Sequence, residues 1–342
     1  MDIVTHALLG ALAAASVTNN GRCKSAALAG GISALLPDMD VLIRSAQDPL
    51  LVLEYHRHFT HSLFFAPLGA AVGMLLLWPF LRKCLNVRLL YAACLAGYAS
   101  ACLLDVCTSY GTHLFWPVYP QPIALGIIAV VDPLFTLLLI IGLAFYLCRS
   151  NSRLRWFGAV AASLYLCFGA LQWHRAHEAV SEWVQRNHTG TPEAALSQIL
   201  VKPTLGNLVL WRALIIQNGQ VQALSLRIGV FGQIVEYTGE RTGLIDLQAW
   251  HRRLGDSRAY QDLLRFNKFA DGLLVPFPGN AHHIGDVRYA MLPTSIEPLW
   301  GIEVSEQHPN DPVRFFTRRD TRPEIRTAFL QMLWGRSAQE HD

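Results

Sequence analysis

Charge is what this chain has least of. Of its 342 residues only 15% are charged, against about 25% in an ordinary soluble protein, and 52% are hydrophobic. The shortage sits in one half. Residues 1–172 carry 10 of the 28 Lys and Arg and 7 of the 25 Asp and Glu, whereas residues 173–342 carry 18 of each. Cysteine is missing from the second half altogether, so that half can fold in any redox compartment. The seven cysteines of the first half lie mostly inside apolar runs with no CxxC spacing, so neither a zinc ribbon nor a disulfide scaffold is implied. There is no basic run, and a formal charge of +3 gives no nucleic-acid footprint. The N-terminus also lacks the basic region of a cleavable signal, since Asp2 stands there and Thr5–His6 interrupt the apolar stretch.

What is present is apolar length. Residues 63–81, 89–104, 123–148 and 156–172 are candidate spans or near-spans of a bilayer core roughly 30 Å thick. Two shorter apolar segments, 3–18 and 25–36, stop short of a comfortable span. The expected fold is therefore a mainly α-helical integral membrane domain of four to six apolar helices over residues 1–172. A connecting helix over 173–200 and a soluble α+β domain over 201–342 follow. In that last region short β-rich runs such as "NLVLWRALII" and "QVQALSLRIGV" alternate with turn residues, which suits an antiparallel sheet.

Eight of the ten basic residues of the first half fall in three connections: Arg22 and Lys24; Arg82, Lys83 and Arg88; Arg149, Arg153 and Arg155. With alternating segments these share one side, and the positive-inside rule makes that side cytoplasmic. The expectation is a multi-pass protein of the bacterial inner membrane with its C-terminal domain on the non-cytoplasmic side.

All seven acids and all five histidines of the first half then map to the outer side or its margin. "VTHALLG" supplies His6, "LLPDMD" supplies Asp38 and Asp40, "YHRHFTHS" supplies His56, His58 and His61 around Arg57, and "CLLDVCTSYGTHLFWP" supplies Asp105 and His113. Each has an ordinary reading: a core histidine, a turn acid, a lipid-anchoring arginine. Asp132 before Pro133 reads as a helix N-cap followed by its N1 proline. Their convergence on one membrane margin is the unusual part, because ionisable groups there are costly and tend to be functional. Imidazole with carboxylate suits zinc, manganese or iron(II), and less well magnesium. The number of candidates points to two or more ions and a bridging water, as in phosphoester hydrolysis.

These motifs resemble the bacterial membrane-bound metal-dependent hydrolase family. "MDIVTHALLGA", "LLPDMDVL", "HRHFTHSLFF", "LLDVCTSYGTHLFWP" and "VDPLFTLLLI" follow its THxxxG, PDxD, HRxxTHS, LLDxxTSYG and DPLFT patterns in order, over residues 1–172. "KPTLGNLVLWRALI" and "GDVRYAM" resemble pieces of the C-terminal domain that many members carry. The resemblance implies a distant likeness to the zinc-dependent phospholipase C and fungal single-strand nuclease fold. It also implies metal ligation by His6, Asp38, Asp40, His56, His61 and Asp105. Asp38 or Asp40 would bridge ions or act as general base, and Arg57 would neutralise developing charge. Thr60 and Ser62 would be supporting residues from the flanking motif, and Asp132 stays with its helix cap or such support. His58 or His113 could be supporting residues or supply a replacement nitrogen for the one missing at residue 101. The chain departs from the pattern at Ala101, where members carry histidine, and at His58, where they carry glycine.

The expected function is metal-dependent hydrolysis of a phosphoester at the outer bilayer surface, on a lipid or lipid-linked substrate. The alternative is a non-catalytic, membrane-anchored binding or envelope-maintenance protein with a structural or degenerate metal site.

Overall fold

A computed structural model of the chain describes residues 1–18, 23–148, 156–187 and 198–336. Of the basic residues used for orientation, Arg22, Arg149, Arg153 and Arg155 lie outside the described residues, as does part of the expected 173–200 connection. The first half is helical: α1 Ile3–Ser16, α2 Cys23–Ser33, α3 Leu51–Tyr55, α4 Ala66–Leu81, α5 Val87–Cys107, α6 Pro133–Cys148 and α7 Phe157–Asn187. Side-chain caps start several of them. Asp2 accepts from the Thr5 amide before α1, and Asn86 accepts from the Leu89 amide before α5.

Among the described residues two segments are long and apolar enough to cross a membrane, Cys23–Leu42 and Val87–Cys107. Leu51–His61 and Ala66–Leu81 qualify together but bend by 88° at their break, as a broken span or re-entrant loop does. The second segment thus exceeds the sequence expectation of a short 25–36 stretch, because a 3₁₀ turn over Pro37–Leu42 carries the helical path on. α1 and α6 are shorter apolar helices, and α7 is not among the candidate spans.

The chain divides into two compact units. The first comprises Met1–Ile43, Tyr55–Trp173 and Leu205–Leu208. Its helices α1, α2 and α5 meet backbone to backbone. A Cβ added at Gly97 would lie 2.2 Å from the Gly30 carbonyl oxygen, and one added at Gly30 would lie 2.4 Å from that of Gly10. Small residues at helix crossings are the usual means of close approach in membranes. This three-helix contact fixes the spacing of the start of α1, the end of α2 and the end of α5.

The second unit comprises Arg44–Glu54, His174–Thr204 and Val209–Asp342. It holds two antiparallel four-stranded sheets. One is β1 Gln198–Pro203, β2 Leu210–Gln217, β3 Gln220–Ile228 and β4 Ile234–Gly243; the other is β5 Leu274–Phe277, β6 Asn280–Asp286, β7 Trp300–Glu303 and β8 Arg314–Thr317. Helices α8 Leu247–Leu254, α9 Arg258–Phe269 and α10 Pro323–Trp334 complete it. The turn joining β2 and β3 is Asn218–Gly219 with both φ angles positive, the favoured two-residue hairpin connection.

The 44–54 segment belongs to this unit although it lies between the PDxD and HRxxTHS motifs. Leu50 is buried in a core with Trp250, Leu254, Leu263, Phe266 and Ile302. Arg265 clamps the segment's two acids, Asp48 through both terminal nitrogens at 3.0 and 2.9 Å and Glu54 through Nε at 2.7 Å. The Arg265 hydrogen bonds hold the Asp48 carboxyl below its ordinary pKa.

The two C-terminal stretches singled out in the sequence meet in one buried cluster. Lys202 pairs with Arg212 across β1 and β2, and Lys202, Arg212, Asp286 and Arg288 are all buried. Arg212 is wrapped by carbonyl oxygens of Val287, Pro293 and Ser295 at 2.7–2.8 Å. Arg288 forks onto Asp286 through Nε and Nη2, both at 2.9 Å. Lys202 Nζ stands 3.2 Å above the Tyr289 ring centre and has no hydrogen-bond partner among the described residues. Burial first, and the Arg212 charge second, depress the Lys202 pKa far below that of a free lysine; burial brings Arg212 down to about 10.

Asp286 is thus the buried anion between two buried guanidinium groups and a buried amine whose charge is disfavoured. Asp286→Ala is expected to destabilise the second unit by about 3–5 kcal/mol, the usual cost of stranding a buried partner. Lys202→Met, which removes an uncompensated amine, should be neutral or stabilising. Thermal unfolding of the full chain, followed by near-ultraviolet circular dichroism, checks both signs.

Candidate functional site

Four backbone elements of the first unit present the site. His6 is in the first turns of α1, Asp38 and Asp40 are on the Pro37–Leu42 turn, His61 ends a short 3₁₀ turn over Phe59–His61, and Asp105 is in the last turn of α5. His6, Asp38 and Asp105 offer ligand atoms all within 4.8 Å of one another.

With His61 they form a closed alternation of imidazole and carboxylate. His6 Nε2 is 3.2 Å from Asp105 Oδ1, and His61 Nε2 is 3.2 Å from Asp105 Oδ2. His61 Nε2 is 3.3 Å from Asp38 Oδ1, and His6 Nε2 is 3.9 Å from Asp38 Oδ2. His61 Nε2 and Asp105 Oδ2 are buried without a hydrogen-bond partner among the described residues, despite their proximity. Metal–ligand bonds of about 2.0–2.2 Å at a tetrahedral centre put neighbouring ligand atoms roughly 3.3–3.6 Å apart. Three of the four separations, at 3.2–3.3 Å, lie at the short end of that spacing and the fourth, at 3.9 Å, lies beyond it. With the orphaned atoms, this is a set of residues that could hold a metal ion.

Asp40 stands behind this ring rather than in it. Its oxygens accept from His56 Nδ1 at 2.8 Å, the Arg57 amide at 2.8 Å and the Thr60 hydroxyl at 3.1 Å, and lie 3.3 Å from His61 Nδ1. The carboxylate therefore orders the whole "HRHFTH" loop and sets His61 with Nδ1 toward Asp40 and Nε2 toward Asp38 and Asp105. A carboxylate on the far nitrogen of a ligand imidazole is a common support.

Arg57 occupies the left-handed region at φ 60°, which is rare for a residue with a side chain and costs about 1–2 kcal/mol. That turn sends the buried guanidinium inward, onto Asp105 at 3.0 Å and the Thr108 hydroxyl at 2.7 Å. The Met1 α-ammonium also ion-pairs with Asp105.

Solvent reaches the site at two side chains. Asp38 is 22% exposed and His56 25%, whereas Asp40, His61 and Asp105 have no exposed side-chain surface.

The remaining expected residues fall elsewhere. His58 packs among aromatic rings, 4.4 Å from His113 and 5.5 Å from Trp116 between centroids. His113 Nδ1 meets the Pro120 carbonyl at 2.8 Å. Neither joins the carboxylate ring among the described residues. Ser62 caps its own turn through the Phe64 amide at 3.1 Å and bonds the Trp116 carbonyl. Asp132 is the N-cap of α6, accepting from the Phe135 amide at 3.1 Å, with the Tyr165 hydroxyl on both its oxygens at 3.0 and 2.8 Å.

Three contributors were not singled out in the sequence. Thr108 and Tyr110 lie in the TSYG stretch, where Thr108 holds Arg57 and the Tyr110 ring packs 5.4 Å from His56. Tyr98 reaches from α5 to the Thr60 carbonyl at 2.6 Å. Its signal was its place seven residues before Asp105, on the same helix face.

A helical unit with apolar spans, a polar cluster at the helix ends and an attached two-sheet unit define an integral membrane protein. Residues 1–176 match the family model described as YdjM inner membrane protein. That is more than half of the chain, which therefore belongs to this family and is a protein of the inner membrane. No curated protein and no solved structure matches it.

Proposed function

We propose that this protein is a membrane-bound, metal-dependent hydrolase that cleaves a phosphoester at the outer surface of the bilayer. The observation that carries the reading is the closed ring of His6, Asp105, His61 and Asp38 with its orphaned buried nitrogen and oxygen. These four residues would hold one or more divalent transition ions, zinc by preference and manganese or iron(II) next. When bound, such an ion supplies a water of lowered pKa and charge for a phosphoryl oxygen.

The chain's own residues supply the rest. Asp38, the solvent-open carboxylate of the ring, faces the entering substrate and orients the attacking water. His56 is the proton carrier: Asp40 holds its Nδ1, which frees Nε2 to accept or donate, as in other carboxylate–imidazole pairs. Arg57 braces Asp105 from behind, so that it positions the ring and leaves charge neutralisation to the ions. A site at the ends of apolar helices favours a lipid or lipid-linked substrate.

The packing of Leu50 inside the second unit supports a common side for the 37–62 connection and the C-terminal domain. A folded unit cannot straddle a bilayer, and the charge rule makes that side non-cytoplasmic.

Turnover of lipid and generic phosphodiesters by the detergent-purified chain, with and without chelator, tests the reading. His56→Gln should retain metal and lose about 10²–10⁴-fold in turnover. His61→Ala should lose metal and turnover together. Wild-type turnover that ignores chelation would contradict the proposal.

Ala101 favours a second reading, a non-catalytic binding or envelope-maintenance protein. It is buried on α5 one turn before Asp105, where the resembled family carries an imidazole. Ala101→His separates the readings. Metal occupancy or activity gained only in the variant favours a degenerate site; an unchanged metal content and turnover favours one that is already complete.

A further inference from the structure

The second unit leaves a cluster of large apolar side chains bare at one end of its first sheet. The connection between β3 and β4 is a tight loop in which the Gly229 amide bonds the Gln233 carbonyl at 2.7 Å. Its tip carries Phe231, 98% exposed, beside the exposed Val230 and Ile234. The end of α10 is fastened next to it: Arg227 Nε donates to the Leu333 carbonyl at 2.8 Å and the Tyr237 hydroxyl to that of Met332 at 3.3 Å. Trp334, 72% exposed, and Leu330 therefore extend the patch from the loop onto the helix. Five bare apolar groups on two neighbouring elements mark an interaction surface rather than scattered surface residues.

The occupant is indicated by α7. This helix runs unbroken from Phe157 to Asn187, and its residues 157–173 carry no charge. Val160, Leu164 and Leu171 are exposed along that stretch, an apolar face that suits contact with lipid even though the helix falls short of the candidate spans. It ends in Trp173, His174 and Arg175, the sequence of an aromatic and cationic membrane boundary. Arg175 Nη1, the first charge after the apolar stretch, donates to the Gly229 carbonyl at 3.0 Å. Phe231 is two residues from that bond, within about 7 Å of extended chain. The bare tip is thus tied to the first charged residue that follows the apolar stretch in the sequence.

We propose that the 229–233 loop, with Trp334 beside it, is a membrane anchor of the second unit that inserts Phe231 and Val230 into the headgroup and acyl boundary of the bilayer. Aromatic side chains with arginines around them suit that interface. The surface is independent of the metal ring and holds whether or not the protein is an enzyme.

The test is the full chain in nanodiscs of phosphatidylethanolamine and phosphatidylglycerol, with the exposed Cys84 and Cys167 changed to serine and a nitroxide at position 231 through Phe231→Cys. Asn218→Cys, in the hairpin turn at the opposite end of the same sheet, is the control. Collisions with oxygen relative to a water-soluble nickel complex should be several-fold more frequent at 231 than at 218. Equal, water-like ratios at the two positions would overturn the proposal. So would a label at 231 shielded from both reagents, which would mean a protein partner or a second copy. Phe231→Ser at this bare tip is expected to leave the melting temperature in detergent unchanged, so a folding defect cannot mimic the result.

Discussion

Asp105→Ala is expected to be the most damaging single change in the first unit, costing about 3–5 kcal/mol of stability and all bound metal. The carboxylate is fully buried and faces His6, His61, Arg57 and the Met1 α-ammonium. Its removal strands two cations with almost no exposed surface to relax toward, and it opens the ring at the member that lies nearer to both imidazoles. Asp105→Asn keeps the shape and loses the charge, so it should fall between wild type and the alanine variant. Thermal unfolding in detergent, with metal content measured on the same preparations, reads both effects. A variant that melts with wild type would show that Asp105 does not hold these elements together.

Gly97→Leu is expected to separate the helices that carry the site. A Cβ at residue 97 already falls 2.2 Å from the Gly30 carbonyl oxygen, and the neighbour is backbone, which cannot swing aside. Overpacking a core costs typically about 1–3 kcal/mol where side chains can adjust, and here they cannot, so the effect should reach or exceed the top of that range. The hydrophobic effect does not hold helices together in lipid, and loss of close packing is not offset. The expected result is a protein that is poorly recovered in folded form, with Gly97→Ala milder. The yield of monodisperse protein on size-exclusion chromatography checks it. Leucine tolerated with a wild-type melting temperature would mean that the α2–α5 contact is looser than described.

Much of the candidate site was legible before the fold because the motifs that carry it are local. Short motifs at the ends of apolar segments carried His6, Asp38, His61 and Asp105, and an aspartate before a proline at 132 announced a helix cap that the structure shows. What the sequence could not carry is long-range. The resemblance implies that Asp40 is a ligand, and the structure adds that its oxygens accept from His56, Arg57 and Thr60, a hydrogen-bond set that only the folded loop brings together. The length of the second span was hidden by Pro37, which reads as a stop and instead opens a 3₁₀ turn. The place of the 44–54 segment in the second unit is not readable from the sequence, because its partners Trp250, Arg265 and Phe266 lie some two hundred residues further on. Pattern over short windows cannot see such pairings.

The central claim is that the ring of two histidines and two aspartates binds metal. Elemental analysis of detergent-purified wild type beside His61→Ala tests it most directly. The account predicts roughly one to three equivalents of zinc, manganese or iron in the wild type, and their loss in a variant that still elutes as a folded protein. A wild type that is empty, and stays empty after each metal is added back, would contradict it.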